Sequence, residues 1–319
     1  MRGESVCEVG DVEDGLSVDI EQIQALGIGA ADITKLKAAN IYTVQELLGT
    51  HSKRLLKIKG FSEMKVEKLK EAGKKLQPLG SGFITASELG HLRKRCYRIS
   101  TGSKQLDACL NGVWKDTASA YHGCYGPASQ GLFINTNTRA ISDAQQEMGG
   151  AEGKVAYIDT EGTFRPERIA EIAERFGVDP DQACENIVYA RAQNSEARPV
   201  YFLQTLTANF STNEYRLLII DSVMALFRTD YIGRGELSDR QALLNQFLRK
   251  ATSLAEEFNI AVLMTNQVMS DPGASALFAG ADGRKPAGGH ILAHASTTRL
   301  LLRKGRGEER VAKIVDSPG

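Results

Sequence analysis

From about residue 100 onward, short and almost continuously apolar segments alternate with amphipathic segments of helical period. The apolar segments are much shorter than the roughly 20 residues of a membrane helix. They are also too continuous for strands with one face in water, so we expect strands buried on both faces and joined by helices. The expected strands are KVAYIDT, YRLLIIDSVMALF, IAVLMTNQV, HASTTRLLLRK and RVAKIVDS, and the expected helices include PERIAEIAERFG and DRQALLNQFLRKATSLAEEFN. This alternation predicts an α/β fold with a mainly parallel sheet and flanking helices.

The first hundred residues are organised differently. Residues 1–18 are polar and acidic and contain glycine, so we expect a disordered tail. Residues 19–76 hold short helical patterns separated by glycine and asparagine, which predicts a small all-α domain. Residues 77–99 are rich in glycine and serine and end in a basic cluster, as is typical of a linker. The α/β core is then expected to occupy residues 100–319.

Composition excludes several classes of protein. The chain has 319 residues and a formal net charge of +0, which argues against a protein that coats polyanions with its whole surface but leaves room for basic patches. The acidic N-terminal segment has no apolar signal core, and no apolar run is long enough for a membrane span. The five cysteines form no CxxC pair, so we expect neither a zinc site nor a disulfide framework, and a reducing compartment such as cytosol or nucleus.

Three of the expected strands end in polar side chains. LLIID ends at Asp221, IDTEG carries Asp159 and Glu161, and TNQ ends at Gln267. Because the carboxyl ends of parallel strands share one edge of a sheet, these groups are expected to lie together. An aspartate there can hold Mg²⁺ through water, a glutamate can orient a water against a γ-phosphate, and a glutamine can sense a phosphate. Each residue alone is also an ordinary strand-end or helix-entry residue, but together they favour a nucleotide site.

The loop that should grip the phosphates departs from this pattern. It begins GCYGPASQG at Gly123, and the form GxxxxGK[ST] would require Gly, Lys and Ser or Thr where this chain has Ala128, Ser129 and Gln130. Pro127 also removes an N–H donor. The flanking segments, NGVWKDTASAYHG and INTNTRAISDAQQ, show neither the apolar run of a strand nor the period of a helix. The sequence therefore predicts that ATP binding by this chain is impaired.

Several motifs occur in a fixed order along the chain: DTEGTFRPERI, LLIIDSVMALFR, GRGELSDRQ, MTNQV, GGHILAHASTTR and KGRGEERVAKIVDSP. Together they resemble the RecA/RadA recombinase family, and most of all its eukaryotic, meiosis-specific branch in a fungal form. The similarity covers about residues 19–108, 146–196 and 205–318. It implies a nuclear, ATP- and Mg²⁺-dependent recombinase that forms filaments or rings on single-stranded DNA, pairs it with double-stranded DNA, exchanges strands and works with recombination accessory proteins.

The resemblance also implies roles for single residues at the nucleotide. Glu161 would be the catalytic carboxylate, Asp221 the carboxylate beside the magnesium, and Gln267 the link between the γ-phosphate and DNA. Arg168 would stack on the adenine, and Gly123 would belong to the phosphate-binding loop. Because ATP lies between subunits in this family, two further residues would close over a neighbour's nucleotide, namely His294 and Asp316.

Two segments after the strands are candidates for DNA contact. RTDYIGRGELSDRQ combines glycines with Arg228 and Arg234, and VMSDPGASALFAGADGRKPAGGH is long, without period, and contains Pro272 and Gly273. Long structureless loops in compact domains are usually functional or disordered, and mobile basic loops can follow a DNA strand without reading bases. The alternative for Arg234 is a solvated loop charge.

The N-terminal domain contains a pattern typical of a helix–hairpin–helix motif. In LLKIKGFSEMKVEKLKEA, Gly60 allows a tight turn, while Lys59 and Lys65 supply charge for a DNA phosphate near the start of the next helix. A helical protein-binding module is the alternative. In the linker, GFITA presents Phe83 and Ala86, and the resemblance implies that this Phe-x-x-Ala segment tethers one subunit to the next. Without the resemblance, Phe83 would be read as a contact between domains of one chain.

Three alternatives to an active recombinase stay open. The first is an error in the sequence itself. The block from about 110 to 145 and the shorter block ARPVYFLQ at 197–204 have sharp edges, which suggests an unspliced intron in a gene model. The chain also ends at DSPG, before the final strands of the family. A non-catalytic paralogue that joins filaments without hydrolysing ATP is a second alternative. A helicase-type motor is a third, against which stand the expected tether and the lack of a second motor domain.

Overall fold

A computed structural model describes residues 18–77, 85–94, 99–110, 121–125, 151, 153–192, 199–229, 231, 234–270, 284–306 and 309–316. The chain divides into two compact units, Met1–Ile84 and Thr85–Gly319. The division falls inside the predicted linker, where a helix also begins at Ala86. The tail expected at residues 1–18 lies, except for Val18, outside the described residues.

The first unit is helical and has its own apolar core. A 3₁₀ helix, Ile20–Leu26, precedes α1 (Ala30–Ala38), α2 (Val44–Gly49), α3 (Ser52–Leu55) and α4 (Glu63–Leu76). Side chains at Asp19, Thr43 and Ser62 accept hydrogen bonds from backbone N–H groups of the first turns, which stabilises the starts of these helices. One contiguous cluster fills the interior, and its fully buried members include Ile20, Ile23, Leu36, Leu47 and Leu55.

The second unit is built on a seven-stranded sheet. Its strands are β1 (Tyr121–Tyr125), β2 (Lys154–Asp159), β3 (Ile187–Arg191), β4 (Tyr215–Asp221), β5 (Ala261–Asn266), β8 (Thr298–Lys304) and β9 (Arg310–Asp316), and they lie in the order β3-β2-β4-β5-β1-β8-β9. Every neighbouring pair is parallel except β8 and β9. A separate antiparallel ribbon pairs β6 (Val268–Ser270) with β7 (Arg284–Pro286). The predicted mainly parallel sheet is confirmed.

In the described parts of the second unit, helices precede β1 and follow β2, β3, β4 and β7. They are α5 (Ala86–Lys94), α6 (Lys104–Cys109), α7 (Pro166–Phe176), α8 (Pro180–Glu185), α9 (Pro199–Phe210), α10 (Ala225–Thr229), α11 (Leu237–Phe258) and α12 (Gly289–Ala295), with a 3₁₀ turn at Arg234–Glu236. Among the described residues, no helix is both long enough and apolar enough to cross a membrane.

The central strands are buried on both faces, as their continuous apolar runs predict. In β4, Leu218 and Ile220 belong to the core that also contains residues of α9 and α11, whereas Leu217 and Ile219 belong to the core on the other face. The same alternation holds for β2 and β5. Because neighbouring side chains on a strand point to opposite faces, a one-residue slip would exchange both cores at once, so the register of the strand ends is strongly determined.

Two strand expectations were wrong. The strand predicted over YRLLIIDSVMALF ends at Asp221, and the chain then turns into the helix Ala225–Thr229. The segment before the phosphate-binding loop was expected to lack a strand, yet β1 lies there, between β5 and β8. Its sequence, YHGCY, has no apolar run, so its position depends on the parallel neighbours on both sides rather than on its own hydrophobicity.

Candidate functional site

The polar residues predicted to meet at one edge of the sheet do meet there. Asp159 and Asp221 end adjacent strands and are register partners. Glu161 lies just beyond β2, and its Oε1 accepts hydrogen bonds from Nε2 of Gln267, just beyond β5, and from Oγ of Ser222 at 2.9 Å. The expected arrangement of Glu161, Asp221 and Gln267 is therefore confirmed.

Asp221 is a buried carboxylate surrounded by hydroxyl groups. Tyr157 donates to its Oδ2 at 2.8 Å, Thr265 donates to its Oδ1 at 2.7 Å, and Thr163 donates to Oδ2 at 3.3 Å. Burial raises the pKa of Asp221, and the nearby Glu161 adds to this, while the hydroxyls of Thr265 and Tyr157 oppose the rise by stabilising the charged form. Burial likewise raises the pKa of Tyr157, so its phenol remains a donor. The carboxylate is thus oriented from both sides.

Asp159 organises the loop that carries Glu161. Its carboxylate is fully buried and accepts hydrogen bonds from the backbone N–H groups of Glu161, Gly162 and Phe164 at 2.6–3.1 Å, and from the hydroxyl of Tyr189 at 3.2 Å. The loop turns at Gly162, where φ is 75°. Because three of the four donors are backbone groups of the loop itself, Asp159 serves the shape of the loop and not the reacting groups.

A reciprocal contact fixes Ser222. The hydroxyl of Thr160 accepts from the backbone N–H of Ser222 at 2.7 Å and donates to its carbonyl at 2.9 Å. The N–H of Thr160 also donates to the carbonyl of Asp221 at 2.7 Å, and the Asp221–Ser222 peptide bond is cis. Thr160, Ser222, Tyr157 and Thr265 were not singled out from the sequence. A hydroxyl beside a strand end carries no motif, and only the parallel register shows which residue it faces.

Gln267 is held at the base of the β6–β7 ribbon. Its backbone N–H donates to Oδ1 of Asn266 at 2.8 Å, and its carbonyl accepts from the N–H of Ala287 at 2.9 Å. Nδ2 of Asn266 donates to the carbonyl of Ala287 at 2.7 Å. The side chain that contacts Glu161 therefore projects from a closed, hydrogen-bonded junction.

ATP and Mg²⁺ fit one part of this site. The three hydroxyls use three of the about four acceptor positions of the Asp221 carboxylate. Among the described residues, no group of three or more His, Cys, Asp and Glu side chains could hold a metal ion. One acceptor position of Asp221 is therefore left for a water of a magnesium ion, a ligand that Mg²⁺ usually keeps. A bound magnesium nucleotide would supply a γ-phosphate.

The phosphate-binding loop does not fit in the same way. Gly123, predicted to open that loop, lies within β1, opposite Met264 and Arg299 in the neighbouring strands. β1 ends at Tyr125, and residues 126–150 lie outside the described residues. By sequence, Ser129 cannot supply the ammonium that such loops use at this position, and Gln130 has no hydroxyl for the metal.

The other predicted nucleotide residues lie on other elements than those of the hydrogen-bonded cluster. Arg168 is exposed on α7 and makes an ion pair with Glu171 at 3.0 Å. His294 is exposed on α12, with its ring centroid 6.4 Å from that of His290. Asp316 ends β9 and pairs with Arg299 at 2.6 Å. Their predicted roles toward a nucleotide, including a neighbour's, remain predictions.

The predicted DNA and assembly residues are described only in part. Arg228 lies in α10 and Arg234 begins the 3₁₀ turn before α11. Ala86 is the first residue of α5. Three others lie outside the described residues: Phe83, Pro272 and Gly273.

The hairpin of the first unit has the backbone that its sequence predicts. Gly60 lies between α3 and α4 with φ of 90°, a conformation that favours glycine. Lys59 is exposed. Lys65 makes an ion pair with Asp32, whose carboxylate it contacts at 2.9 and 3.1 Å. The sequence did not predict this partner.

Comparison with known proteins identifies the family. A sequence model of the Rad51 family matches residues 92–319. The chain is 54% identical over 302 residues to the meiotic recombination protein DMC1 of Saccharomyces cerevisiae, covering 94% of this chain and 89% of that protein. It is 53% identical to the meiotic recombination protein DLH1 of Candida albicans, with 96% and 93% covered, and 46% identical to the human DMC1/LIM15 homolog, with 97% and 90% covered. The chain belongs to the Rad51 family of RecA-like proteins.

Proposed function

We propose that this chain acts as a recombinase in meiotic recombination, where it pairs homologous DNA molecules and exchanges their strands. The similar proteins from yeast, Candida and human are all meiotic recombination proteins by name. The observation that carries the proposal is the contact of Glu161 with Gln267 and Ser222 beside Asp221, on the sheet of a Rad51-family chain. A nuclear location follows from action on chromosomal DNA.

The nucleotide would act at this edge as a switch. Proteins of the Rad51 family bind ATP, and the buried Asp221 is suited to orient the water shell of a magnesium ion. Glu161 would orient a water toward a γ-phosphate. Gln267 would relate the nucleotide to DNA bound at residues 271–283, which is supported by its hydrogen bond to Glu161 and by its position next to the ribbon whose two strands flank those residues.

The altered phosphate-binding loop makes ATP binding the first point to test. We expect weak binding of labelled ATP by the purified chain and tighter binding by a triple variant, Ala128→Gly, Ser129→Lys and Gln130→Thr. A lysine in this position contacts the β- and γ-phosphates, and the hydroxyl contacts Mg²⁺. Ser129→Met is the matched control, because it adds length without charge. Equal ATP affinities of the unaltered chain and the triple variant would show that the residues at these three positions are not what weakens ATP binding.

Strand exchange tests the function itself. The rebuilt chain should transfer a strand from a homologous duplex to single-stranded DNA, and a heterologous duplex should give no product. Glu161→Gln should retain ATP and DNA binding while it slows ATP turnover, since an amide cannot accept a proton from water. Absence of strand exchange by a rebuilt chain that binds both ATP and DNA would refute the recombinase assignment.

Self-assembly and DNA contact are proposed for the same chain. Rad51-family proteins form oligomeric filaments and bind DNA, and Phe83 with Ala86 would tether adjacent subunits. Phe83→Glu should reduce the assembled mass in light scattering and leave soluble monomers. Met64→Glu is the control for an added charge in place of an apolar side chain, because Met64 is 79% exposed on α4 and its substitution should leave the fold intact. Equal assembly by the two variants would contradict the tether.

One alternative function has a specific observation in its favour. A non-catalytic member of the family would join filaments and bind DNA without hydrolysing ATP, and the absence of the loop lysine favours it. Retention of the whole hydrogen-bonded cluster around Asp221 and Glu161 speaks against it. Incorporation of the unaltered chain into filaments of a related recombinase, without ATP turnover of its own, would support this alternative.

A further inference from the structure

The hairpin of the first unit lies beside a small cluster of charges that the DNA-binding proposal does not explain. The carboxylate of Asp32, on α1, contacts the ammonium of Lys65 at 2.9 and 3.1 Å and that of Lys35 at 3.4 Å. Lys65 belongs to the first turn of α4, so the contact joins two helices across the hairpin. One anion thus bridges two cations.

Lys35 stands directly over the turn of the hairpin. A Cβ added at Gly60 would lie 3.0 Å from its Nζ, and the same ammonium lies 5.9 Å from the ring centroid of Phe61. Lys35 and Lys65 therefore flank the turn from α1 and from α4. Asp32 contacts both of them.

We propose that Asp32 holds the place of a DNA phosphate in the free protein, and that DNA binding exchanges its carboxylate for a phosphate between Lys35 and Lys65. The proposal rests on the proposed DNA contact by the hairpin and adds Lys35 to it. The carboxylate keeps the lysines oriented in the absence of DNA and competes with weakly bound anions. Because a bound phosphate must displace it, the Asp32 carboxylate lowers the affinity of the hairpin for any polyphosphate backbone.

The exposure of the three groups makes such an exchange feasible. The side chains of Lys35, Lys65 and Asp32 are 40%, 47% and 19% exposed, so the ion pairs are in contact with water and cost little to open. The Lys65 ammonium lowers the pKa of Asp32, so the competing carboxylate remains charged at neutral pH. A DNA phosphate gains further from the release of counterions, which a single internal carboxylate does not provide.

The test compares Asp32→Asn with a control variant, Glu21→Gln, that has the same net charge. Glu21→Gln removes one carboxylate from the same unit, where it pairs with Lys37 at 2.5 Å and with neither Lys35 nor Lys65. The full chain is titrated into labelled duplex DNA without nucleotide over a range of salt concentrations. Asp32→Asn should bind roughly fivefold more tightly than the unaltered chain and Glu21→Gln less than about twofold more tightly, and only Asp32→Asn should steepen the salt dependence, by up to about one unit of log–log slope. Equal effects of the two variants would overturn the exchange.

The lysines provide a second, independent test. Lys65→Gln and Lys35→Gln should weaken DNA binding more strongly in the Asp32→Asn background than in the unaltered chain, because only there are both ammonium groups already available. Additive effects would mean that Asp32 merely links α1 to α4. If Lys59→Gln weakens binding and Asp32→Asn matches Glu21→Gln, the hairpin contacts DNA but the exchange is wrong. If substitutions at all three lysines leave binding unchanged, the proposed DNA contact itself is wrong. Circular dichroism checks folding, and Asp32→Ser replaces Asp32→Asn if the latter does not fold.

Discussion

The hydroxyl of Ser222 donates a 2.9 Å hydrogen bond to the carboxylate of Glu161, which links the residue after β4 to the loop after β2. Ser222 is 3% exposed, and its own backbone is fixed on both sides by Thr160. Glu161 is exposed and would otherwise rotate freely. Its direction is therefore set by a neighbouring strand, and the same oxygen also receives Gln267.

Removal of this hydroxyl should slow turnover without weakening ATP binding. In a chain with the rebuilt phosphate-binding loop, Ser222→Ala should lower kcat for ATP hydrolysis by about tenfold, since a misoriented base loses part of its contribution. KM for ATP should change little, because the side-chain contact that is lost is the one with the Glu161 carboxylate. Ser211→Ala is a matched control, as that hydroxyl donates to the carbonyl of Ala208 at the end of α9. A parallel loss in both variants would contradict the positioning role.

The buried Asp221 should make stability depend on pH. Its folded pKa is raised above the unfolded value, so its contribution to stability is complete below the unfolded pKa of about 3.9 and is lost as pH rises through the folded pKa. Asp221→Asn has no such loss. The free energy of unfolding of Asp221→Asn relative to the unaltered chain should therefore increase as pH rises above about 4 and level off above the folded pKa, as urea denaturation at several pH values can measure.

Tyr157→Phe extends this test. It removes a hydroxyl that stabilises the charged Asp221, so the stability lost with rising pH should be larger in this variant than in the unaltered chain. If the differences in the free energy of unfolding between the three proteins were the same at every pH, the assignment of the pH dependence to Asp221 would be wrong.

Asp159 should matter more for stability than an exposed aspartate. Asp159→Asn places an NH₂ group among four donors, three of them backbone N–H groups, and should lower the free energy of unfolding by about 2–4 kcal/mol. Asp181→Asn, on the exposed surface of α8, should change it by less than about 0.5 kcal/mol. Hydrogen exchange at Glu161, Gly162 and Phe164 should accelerate only in Asp159→Asn. Unchanged protection there would show that another group holds the loop.

Gly162 and Gly177 provide a pair with nearly the same backbone, with φ of 75° and 72°. A Cβ at Gly177 meets nothing within 4 Å, and the three atoms nearest to one at Gly162 all belong to the guanidinium of Arg191, which can move. Both alanine variants should therefore lose about 1 kcal/mol of stability. Only Gly162→Ala should also lower ATP turnover in the rebuilt chain, because it disturbs the residue next to Glu161. A much larger loss of stability at Gly162 would indicate that Arg191 is firmly held.

The sequence predicts those residues of the site that lie at or just after the end of a strand recognisable from its own apolar run. Apolar runs located β2, β4 and β5, and the rule that parallel strands share an edge placed Glu161, Asp221 and Gln267 together. The sequence did not predict β1, because YHGCY is stabilised by pairing with strands on both sides and needs no apolar run of its own.

The hydroxyl groups of the site were missed for a different reason. Thr160, Ser222 and Thr265 become partners only through the register between strands that are 40 or more residues apart in sequence. The ion pair of Asp32 with Lys65 is of the same kind, since it spans two helices. The apolar residues after Asp221 led to a wrong prediction, because SVMALF suits a buried helix as well as a strand. In the structure, a helix begins within this segment, at Ala225.

The junction beneath the β6–β7 ribbon has a practical consequence for engineering. Ala287 bonds to both Asn266 and Gln267, so the chain leaves the sheet and returns to it at nearly the same point. Residues 271–283 can therefore be lengthened, shortened or replaced by a foreign peptide at small cost to the rest of the domain. A reporter inserted between Ser270 and Arg284 would be connected to Gln267 through the β6–β7 ribbon, and its signal would test the proposed contact of this segment with DNA.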